Sequence, residues 1–222
     1  GAPARAFDAG LQPELVGWWP FDEGSGTTAY DQSGKANHGT LNNGPLWTTG
    51  IVAGALQFDG TDDHVVVGTT GRPTDTFTFG AWLKTSATHE LDAQASSGTV
   101  GVNNQRYAFD PSHGGDQNAG AGLSVGTNGV AVYEHGSNYM PATAAYPTAL
   151  GEDWNHVMVV YIDKQPTIFL NGVAVHTGVM SPRQIVYAPI QFGGMAYGYF
   201  QGLMDDVRIY SRALSPQEVH IV

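Results

Sequence analysis

The chain has 222 residues, of which 13% are charged, with a formal net charge of −11 and no cysteine. The absence of cysteine excludes disulfide bonds, thiolate chemistry and a cysteine-based zinc site. The acidic excess argues against nucleic acid as a partner, because it would repel the phosphate backbone.

The composition is typical of many short strands joined by tight turns, with 30 Gly and 12 Pro beside 41% hydrophobic residues. We predict one domain over residues 14–222, because a β-sandwich of this length buries a full core. The first residues, GAPARAFDAG, are typical of a linker or a processed N-terminus, which we place at residues 1–13. The longest apolar run, near residues 157–162, is far shorter than the ~20 residues of a membrane-spanning helix, so we expect no membrane insertion.

Eleven segments rich in β-branched and aromatic residues predict strands, because each is bounded by Gly, Asn, Asp or Pro. They are residues 15–21, 55–60, 64–68, 76–85, 106–110, 122–126, 129–136, 155–163, 167–178, 189–194 and 202–210. Within residues 76–85, Phe77, Phe79, Ala81 and Leu83 share one face, which predicts a sheet with one side on the core. Trp82 is then expected to point away from that core.

Turn chemistry predicts two hairpins. Asn171-Gly172 suits a type I′ turn between two apolar strands, because both residues readily adopt positive φ values. Residues 58–63, FDGTDD, predict a second hairpin in which the three acidic residues need only form the turn. Residues 86–122 contain polar, Gly-rich stretches too long for tight hairpins, and such loops on a rigid sandwich commonly carry binding sites.

Only the C-terminus predicts a helix. Ser215 is suited to the N-cap, Pro216 to the first helical position and Glu218 to the third, which together form a capping box. Val219 and Ile221 then anchor a short helical turn.

Two polar segments, residues 103–117 and 132–141, differ from the other strands and predict a binding surface, which aromatic residues at 197–199 extend. Sugars are bound by aromatic faces and by planar polar groups that hydrogen-bond to neighbouring hydroxyls. The candidate carbohydrate-binding residues are Arg106, Tyr107, Asp110, His113, Glu134, His135, Tyr139 and Tyr197. Because Tyr107 and Phe109 alternate along a predicted strand, at least one of the two is expected in the core.

Catalytic motifs are weakly represented. A glycosidase needs two carboxylates roughly 5–9.5 Å apart, which on one strand means acids at positions i and i+2. The clearest such pair, Glu90 and Asp92, falls in a predicted loop. The eight His residues lack the helical i, i+4 spacing of a zinc protease, and the Gly-x-Ser-x-Gly pattern of a serine hydrolase is missing. The sequence therefore favours a noncatalytic protein.

Two stretches resemble motifs of a known family. Residues 17–41, GWWPFDEGSGTTAYDQSGKANHGTL, and residues 202–219, GLMDDVRIYSRALSPQEV, resemble the first and last motifs of LamG-like jelly-roll domains. These domains belong to the concanavalin A-like lectin/glucanase superfamily. ALQFDGTDDHVVV, FTFGAWLKT and WNHVMVVYIDKQPTIFLNGVAV follow in the family's order, so the resemblance covers residues 14–222.

The resemblance implies an all-β fold, a two-sheet antiparallel β-sandwich (jelly roll) whose first and last strands are adjacent. In relatives, acids near that junction hold a structural calcium ion or brace the loop after the first strand, and carboxylate oxygens suit calcium. The predicted calcium ligands are Asp22, Asp31 and Asp205, with Glu23 as a further candidate. The alternative is that Asp205 and Asp206 cap turns or pair with Arg208 or Arg212.

The resemblance also implies a function. It is typical of a noncatalytic carbohydrate-binding, lectin-like module that binds polysaccharide or oligosaccharide. Such a module belongs to a secreted or cell-surface bacterial protein and can adjoin other domains of a larger chain. Two alternatives stay open: an adhesion module that binds proteins, and a glycoside hydrolase or polysaccharide lyase.

Overall fold

The structure, a computed structural model, describes residues 9–68 and 70–222. Residues 1–8 of the predicted linker lie outside the described residues, so the domain boundary stays a prediction. Residues Ala9–Glu14 form a 3₁₀ helix, and Leu11 within it is buried against the first sheet described below.

Short strands are the main regular structure of the described chain, as the sequence predicts. They are β1 (Leu15–Trp19), β2 (Thr28–Ala29), β3 (Gly39–Asn42), β4 (Leu46–Thr49), β5 (Gly54–Asp59), β6 (His64–Val67), β7 (Phe77–Lys84), β8 (Tyr107–Phe109), β9 (Ala119–Gly126), β10 (Gly129–His135), β11 (Ala142–Pro147), β12 (Asn155–Ile162), β13 (Gln165–Leu170), β14 (Val173–Thr177), β15 (Val186–Tyr187), β16 (Gln191–Phe192), β17 (Gly194–Met195), β18 (Gly198–Tyr199) and β19 (Gln201–Tyr210). A second 3₁₀ segment spans Val100–Val102, and helix α1 spans Pro216–Ile221. Among the residues that the structure describes, no helix has the length and apolar character needed to cross a bilayer.

The strands form two mainly antiparallel sheets packed as a sandwich, which confirms the predicted fold class. The first sheet has the order β14-β13-β12-β7-β19-β5-β4, with β1 also paired to β19. The second sheet has the order β11-β10-β9-β8-β16-β6-β3-β2, with β15, β17 and β18 attached to it. The predicted adjacency of the first and last strands is confirmed, since Trp19 pairs with Val207 and Gly17 with Ile209.

The core lies between the two sheets. The predicted alternation along β7 is confirmed, because Phe77, Phe79, Ala81 and Leu83 are all buried in the central apolar cluster. Trp82 lies outside this cluster and its ring contacts the ring of His156 at a centroid distance of 5.0 Å.

The outer face of the first sheet is covered by the C-terminal segment. Val219 of α1 packs with Phe169 and Tyr210 in a second apolar cluster. The predicted capping box is confirmed: the backbone N of Glu218 donates to the Ser215 hydroxyl, and the Glu218 carboxylate accepts from the backbone N of Ser215. Capping satisfies backbone groups that have no partner within the helix.

The outer face of the second sheet is covered by two loops, residues 86–105 and 110–118. Leu91 and Val102 of the first loop pack against a third cluster that contains Tyr107 and Tyr133. The second loop lies directly on β9, where a Cβ at Gly122 would collide with the ring of Pro111. Small residues on β9 therefore let the loop approach the sheet.

The Asn171-Gly172 hairpin is confirmed. Asn171 has φ 51° and Gly172 has φ 80°, and the flanking residues Leu170 and Val173 pair with each other. Positive φ at both central positions is the signature of a type I′ turn.

Candidate functional site

Asp205 and Asp206 lie where β19 changes its neighbour. The residues before them pair with β5 and the residues after them pair with β1, and the register with β7 shifts at the same point. The Asp205 carboxylate accepts a hydrogen bond from the backbone N of Val52 at 3.0 Å. The two acids therefore sit at the junction of three strands and a loop.

Asp206 adopts φ 54° at this bulge. Its Oδ1 accepts from the indole Nε1 of Trp18 at 2.5 Å, and its Oδ2 pairs with the Arg208 guanidinium at 3.0 Å. The predicted alternative of an ion pair with Arg208 is thus confirmed for Asp206, and this pair is almost completely buried.

Asp31 organises the loop that follows β1. Its two carboxylate oxygens accept four hydrogen bonds, from the backbone N of Trp18, Ser33 and Asn37 and from the Ser33 hydroxyl, at 2.8–2.9 Å. Carboxylates that accept several backbone N–H groups are strongly stabilised. The carboxylate braces this loop through protein donors.

The three predicted calcium ligands do not form a common ligand set. Asp22 accepts from the backbone N of Gly54 at 2.8 Å, while Asp31 and Asp205 use their oxygens as described. A different turn brings potential metal ligands together. In the described parts of the chain, three carboxylates with oxygens within 4.8 Å of one another are found at Asp59, Asp62 and Asp63. The donor set predicted from the sequence therefore does not fit a shared calcium ion.

The acids of residues 59–63 act as turn formers, but the predicted hairpin at residues 58–63 is wrong. The turn joins β5 of the first sheet to β6 of the second sheet, and these two strands do not pair. Asp59 Oδ1 accepts from the backbone N of Thr61 at 2.7 Å, and Asp63 Oδ2 accepts from the backbone N of Asp59 at 3.0 Å. The bond from Thr61 lowers the pKa of Asp59, whereas burial raises the pKa of Asp63.

Four of the predicted carbohydrate-binding residues are buried: Tyr107, Asp110, Glu134 and Tyr139. Tyr107 lies on β8 beneath the covering loop of residues 86–105, and its hydroxyl donates to the carbonyl of Gly101 in that loop at 2.7 Å. Burial raises the pKa of Asp110 to about 6. These side chains are not available to a ligand in this structure, because two loops and the opposite sheet cover them.

Glu134 lies between the sheets. Its carboxylate accepts hydrogen bonds from the hydroxyls of Tyr139 at 3.1 Å, Tyr161 at 3.2 Å and Ser181. Burial raises the pKa of Glu134 to about 7, and the three hydroxyls lower it only in part. The Arg183 guanidinium lies over the Tyr139 ring at 3.9 Å, which closes the edge of this buried group.

Three predicted residues, His113, His135 and Tyr197, form a surface that we call the histidine–tyrosine surface. The rings of His113 and His135 meet edge to face at 4.8 Å, and those of His135 and Tyr197 at 5.2 Å. His113 is exposed, whereas His135 and Tyr197 are half-buried. Arg106, the remaining candidate, is half-buried, and its backbone N donates to the Ser124 hydroxyl at 2.9 Å.

The geometry sets the hydrogen-bonding capacity of His135. Its Nδ1 lies 2.9 Å from the carbonyl of Pro111, so the neutral ring donates from Nδ1 and keeps Nε2 as an acceptor. Burial, with a smaller contribution from His113, lowers the pKa of His135 and favours this neutral form. The surface thus combines ring faces with an acceptor nitrogen.

Glu90 and Asp92, the pair considered for catalysis, lie in different environments. Asp92 Oδ2 accepts from the Tyr133 hydroxyl at 2.8 Å and from the Gln105 amide at 3.0 Å. Glu90 is exposed. Asp92 therefore ties the covering loop to the second sheet.

A cleft beside the first strand was not predicted from the sequence. It has a volume of about 430 Å³ and is lined by Trp18, Pro20, Asp22, Glu23, Tyr30 and Gln32. All six residues fall in or next to the first family motif, but the sequence pattern did not distinguish an exposed Tyr30 from a buried one.

Comparison with known proteins identifies the family. A family model described as the concanavalin A-like lectin/glucanases superfamily matches residues 59–220, which is more than half of the chain. The chain belongs to this superfamily. The first motif, residues 17–41, lies outside the matched residues, yet β1 and β2 pair with strands of the same superfamily sandwich. No curated protein matches the chain.

Solved structures share the superfamily fold at low identity. Domain 4 of AbnA, a GH43 extracellular arabinanase from Geobacillus stearothermophilus solved with arabinotriose, is 16% identical with a TM-score of 0.62, and the match covers 93% of this chain and 97% of that one. The ligand binding domain of botulinum neurotoxin serotype D with N-acetylneuraminic acid is 13% identical with a TM-score of 0.68, covering 96% and 51%. The binding domain of botulinum neurotoxin DC with rat synaptotagmin II is 11% identical with a TM-score of 0.65, covering 95% and 51%. The chain thus spans about half the length of the toxin domains.

Proposed function

We propose that the protein is a noncatalytic carbohydrate-binding module. The observation that carries this proposal is the histidine–tyrosine surface, where His113, His135 and Tyr197 present contiguous ring surface on the outer side of the second sheet. Ring faces pack against the C–H patches of sugars, and His135 Nε2 accepts a hydroxyl hydrogen bond. The net charge of −11 suits a neutral ligand.

The comparisons support this class of ligand. The arabinanase domain matches over almost its whole length and was solved with a trisaccharide. A toxin binding domain of the same fold was solved with a sialic acid. Both ligands belong to those proteins, and fold similarity by itself does not transfer a ligand.

We also propose that the module belongs to a secreted or cell-surface bacterial protein and adjoins other domains that act on polysaccharide. The arabinanase domain, which is one part of an extracellular enzyme, supports this setting. Adhesion to a protein is the second candidate, and the toxin domain solved with synaptotagmin II supports it.

The test is a glycan array followed by calorimetry on the best ligand, with arabino-oligosaccharides included as probes. We expect Tyr197→Ala to weaken binding about 10-fold or more, because one ring face and its contact with His135 are lost. Tyr146→Ala is the matched control, since Tyr146 is a half-buried tyrosine whose ring also lies beside a histidine, His176, at a centroid distance of 6.4 Å.

The outcomes separate the three functions. An array without any sugar ligand overturns the proposal and favours adhesion to a protein. New reducing ends or unsaturated products after incubation with polysaccharides would show an enzyme, and Glu90→Gln and Asp92→Asn would be the first variants to examine.

Calcium binding also stays a proposal, now without an assigned ligand set. A bound ion stabilises the folded state by mass action. Metal analysis and melting curves with and without a chelator test it: a melting temperature that falls on chelation supports calcium, and an unchanged value with no detectable metal overturns it.

A further inference from the structure

We propose that the cleft lined by Trp18, Pro20, Asp22, Glu23, Tyr30 and Gln32 is a second sugar-binding site, so that the module is bivalent. We call it the Tyr30 cleft. Its ligand class rests on the proposed function, but the site shares no residue with the histidine–tyrosine surface.

Tyr30 provides an unusually accessible ring. Its side chain is 50% exposed. Among the residues that the structure describes, the other exposed large hydrophobic side chains are aliphatic. An exposed tyrosine ring can pack its face against the C–H groups of a sugar. Tyr30 also lies in a cleft rather than on a flat surface, which gives a ligand contacts on more than one side.

The second aromatic wall is held in place. The indole Nε1 of Trp18 donates to Asp206 at 2.5 Å, and the Arg208 guanidinium lies 5.2 Å from the Trp18 ring. A ring that is already fixed loses little conformational entropy when a ligand binds. The half-buried Trp18 therefore forms a preorganised aromatic wall of the cleft, beside the buried Pro20.

The backbone of Tyr30 is also fixed. Its N–H donates to Glu23 Oε1 at 2.7 Å, and its ring meets His38 edge to face at 5.3 Å. The next residue, Asp31, holds the following turn through its four hydrogen bonds. Glu23 is thus a positioning residue for the ring of Tyr30.

The polar groups of the cleft select the kind of sugar. Gln32 and Asp22 are exposed at its rim, and an amide beside a carboxylate can both donate to and accept from neighbouring hydroxyls. Because Asp22 and Glu23 are acidic and no lining residue is basic, the cleft disfavours sialic and uronic acids. We infer that it takes one or two units of a neutral glycan. The volume of about 430 Å³ is within the ~300–1,000 Å³ range of small-molecule sites.

Two other clefts lack these features. One of about 510 Å³ is lined mainly by polar residues such as Lys84 and Glu152, and its one aromatic residue, Phe58, is buried. Another, of about 400 Å³, contains Tyr139, which is only 4% exposed. Neither offers an open ring face to a sugar.

The two proposed sites are far apart. Tyr30 follows β2 at one edge of the second sheet, and His135 ends β10, six strand positions away. At about 4.8 Å per strand, this places the sites about 29 Å apart along the sheet. One short oligosaccharide cannot fill both sites, so each molecule can hold two glycan segments and gain avidity on a polysaccharide.

The experiment is isothermal titration of the whole chain with the neutral oligosaccharide that binds best on the array. The variants are Tyr30→Ala, Tyr30→Phe and Tyr197→Ala, with Ile162→Ala as the control because Ile162 is a similarly exposed apolar side chain that lines neither site. We expect two sugars per wild-type molecule, and one for Tyr30→Ala with about a 10-fold or larger loss at the second site. Tyr30→Phe keeps the ring face and should retain both sites.

The outcomes distinguish this inference from the proposed function. One sugar per wild-type molecule, abolished by Tyr197→Ala and unaffected by Tyr30→Ala, overturns the Tyr30 cleft and leaves the proposed function intact. Binding that needs Tyr30 but not Tyr197 supports the cleft and overturns the first surface. No glycan binding at all overturns both. Folding of every variant is checked by its circular dichroism spectrum and melting curve.

Discussion

A single carboxylate, that of Asp31, organises the loop after the first strand. Three of its four donors are backbone N–H groups, at Trp18, Ser33 and Asn37. These groups are buried or partly buried, and an unsatisfied buried N–H group costs about 1–3 kcal/mol. Local order around the Tyr30 cleft therefore depends on one side chain.

We expect Asp31→Asn to lower the free energy of unfolding by about 2–4 kcal/mol, because the amide group places N–H donors against N–H donors. Urea denaturation measures the loss. Asp22→Asn is the control, since Asp22 is exposed and accepts from the backbone N of Gly54 at 2.8 Å; it should change stability by less than about 1 kcal/mol. Equal losses in the two variants would contradict the bracing role of Asp31.

Glu134 shows how burial sets the pH dependence of stability. Its pKa of about 7 in the folded protein lies above the ordinary value of 4.5. Below pH 4.5 the carboxyl group is neutral in both states. As the pH rises from 4.5 to 7, the unfolded chain ionises first, so the contribution of Glu134 to stability falls and stays low above pH 7.

We therefore expect Glu134→Gln to match the wild type at pH 4.5 and to exceed it by about 3 kcal/mol at pH 8, because glutamine carries no charge to bury. Urea denaturation at several pH values measures the difference. A stability difference between variant and wild type that is the same at both pH values would contradict the raised pKa.

At the scale of elements, the last strand, β19, joins the first strand to the first sheet. β19 pairs with β7 on one side and with β5 and then β1 on the other. The pairing partner changes from β5 to β1 at the bulge of Asp206, whose carboxylate binds both Trp18 and Arg208. The bulge thus lets one long strand serve two neighbours.

We expect Asp206→Asn to cost about 3–5 kcal/mol, because the change breaks a buried ion pair with Arg208. Asparagine tolerates positive φ, so the backbone of the bulge is preserved. The matched comparison is Glu218→Gln, which removes the partner of Arg212 from a pair about one third exposed and should cost less, about 1–2 kcal/mol including the weakened cap. Chemical denaturation ranks the two, and a reversed order would contradict the role of burial.

At the scale of the whole molecule, two loops bury side chains on the outer face of the second sheet. His113 is carried by the loop of residues 110–118, which approaches β9 where Gly120 and Gly122 have no side chain. The histidine–tyrosine surface therefore depends on contact between this loop and the sheet.

We expect Gly122→Ala to displace the loop, because the new methyl group would occupy the position of the Pro111 ring. Stability should fall by about 1–3 kcal/mol, and sugar binding at the histidine–tyrosine surface should weaken. Titration of the Tyr30 cleft in the same variant provides the internal control. Unchanged binding at both sites would contradict the coupling between loop and sheet.

The family resemblance implied the two-sheet sandwich. Residue types alone determined the pattern of short strands, the alternation along β7, the Asn171-Gly172 turn and the capping box at Ser215. These features depend on interactions between neighbours in the chain, and residue type alone specifies them. The pairing of first and last strands came from the family resemblance.

Only the tertiary structure decided which side chains reach solvent. Arg106, Tyr107, Asp110 and Glu134 carry the same chemistry as a sugar site, but loops and the opposite sheet cover them wholly or in part. Tyr30, by contrast, is left in a cleft. The physical reason is that burial depends on packing between segments distant in the chain, and the residue pattern within one segment does not contain it.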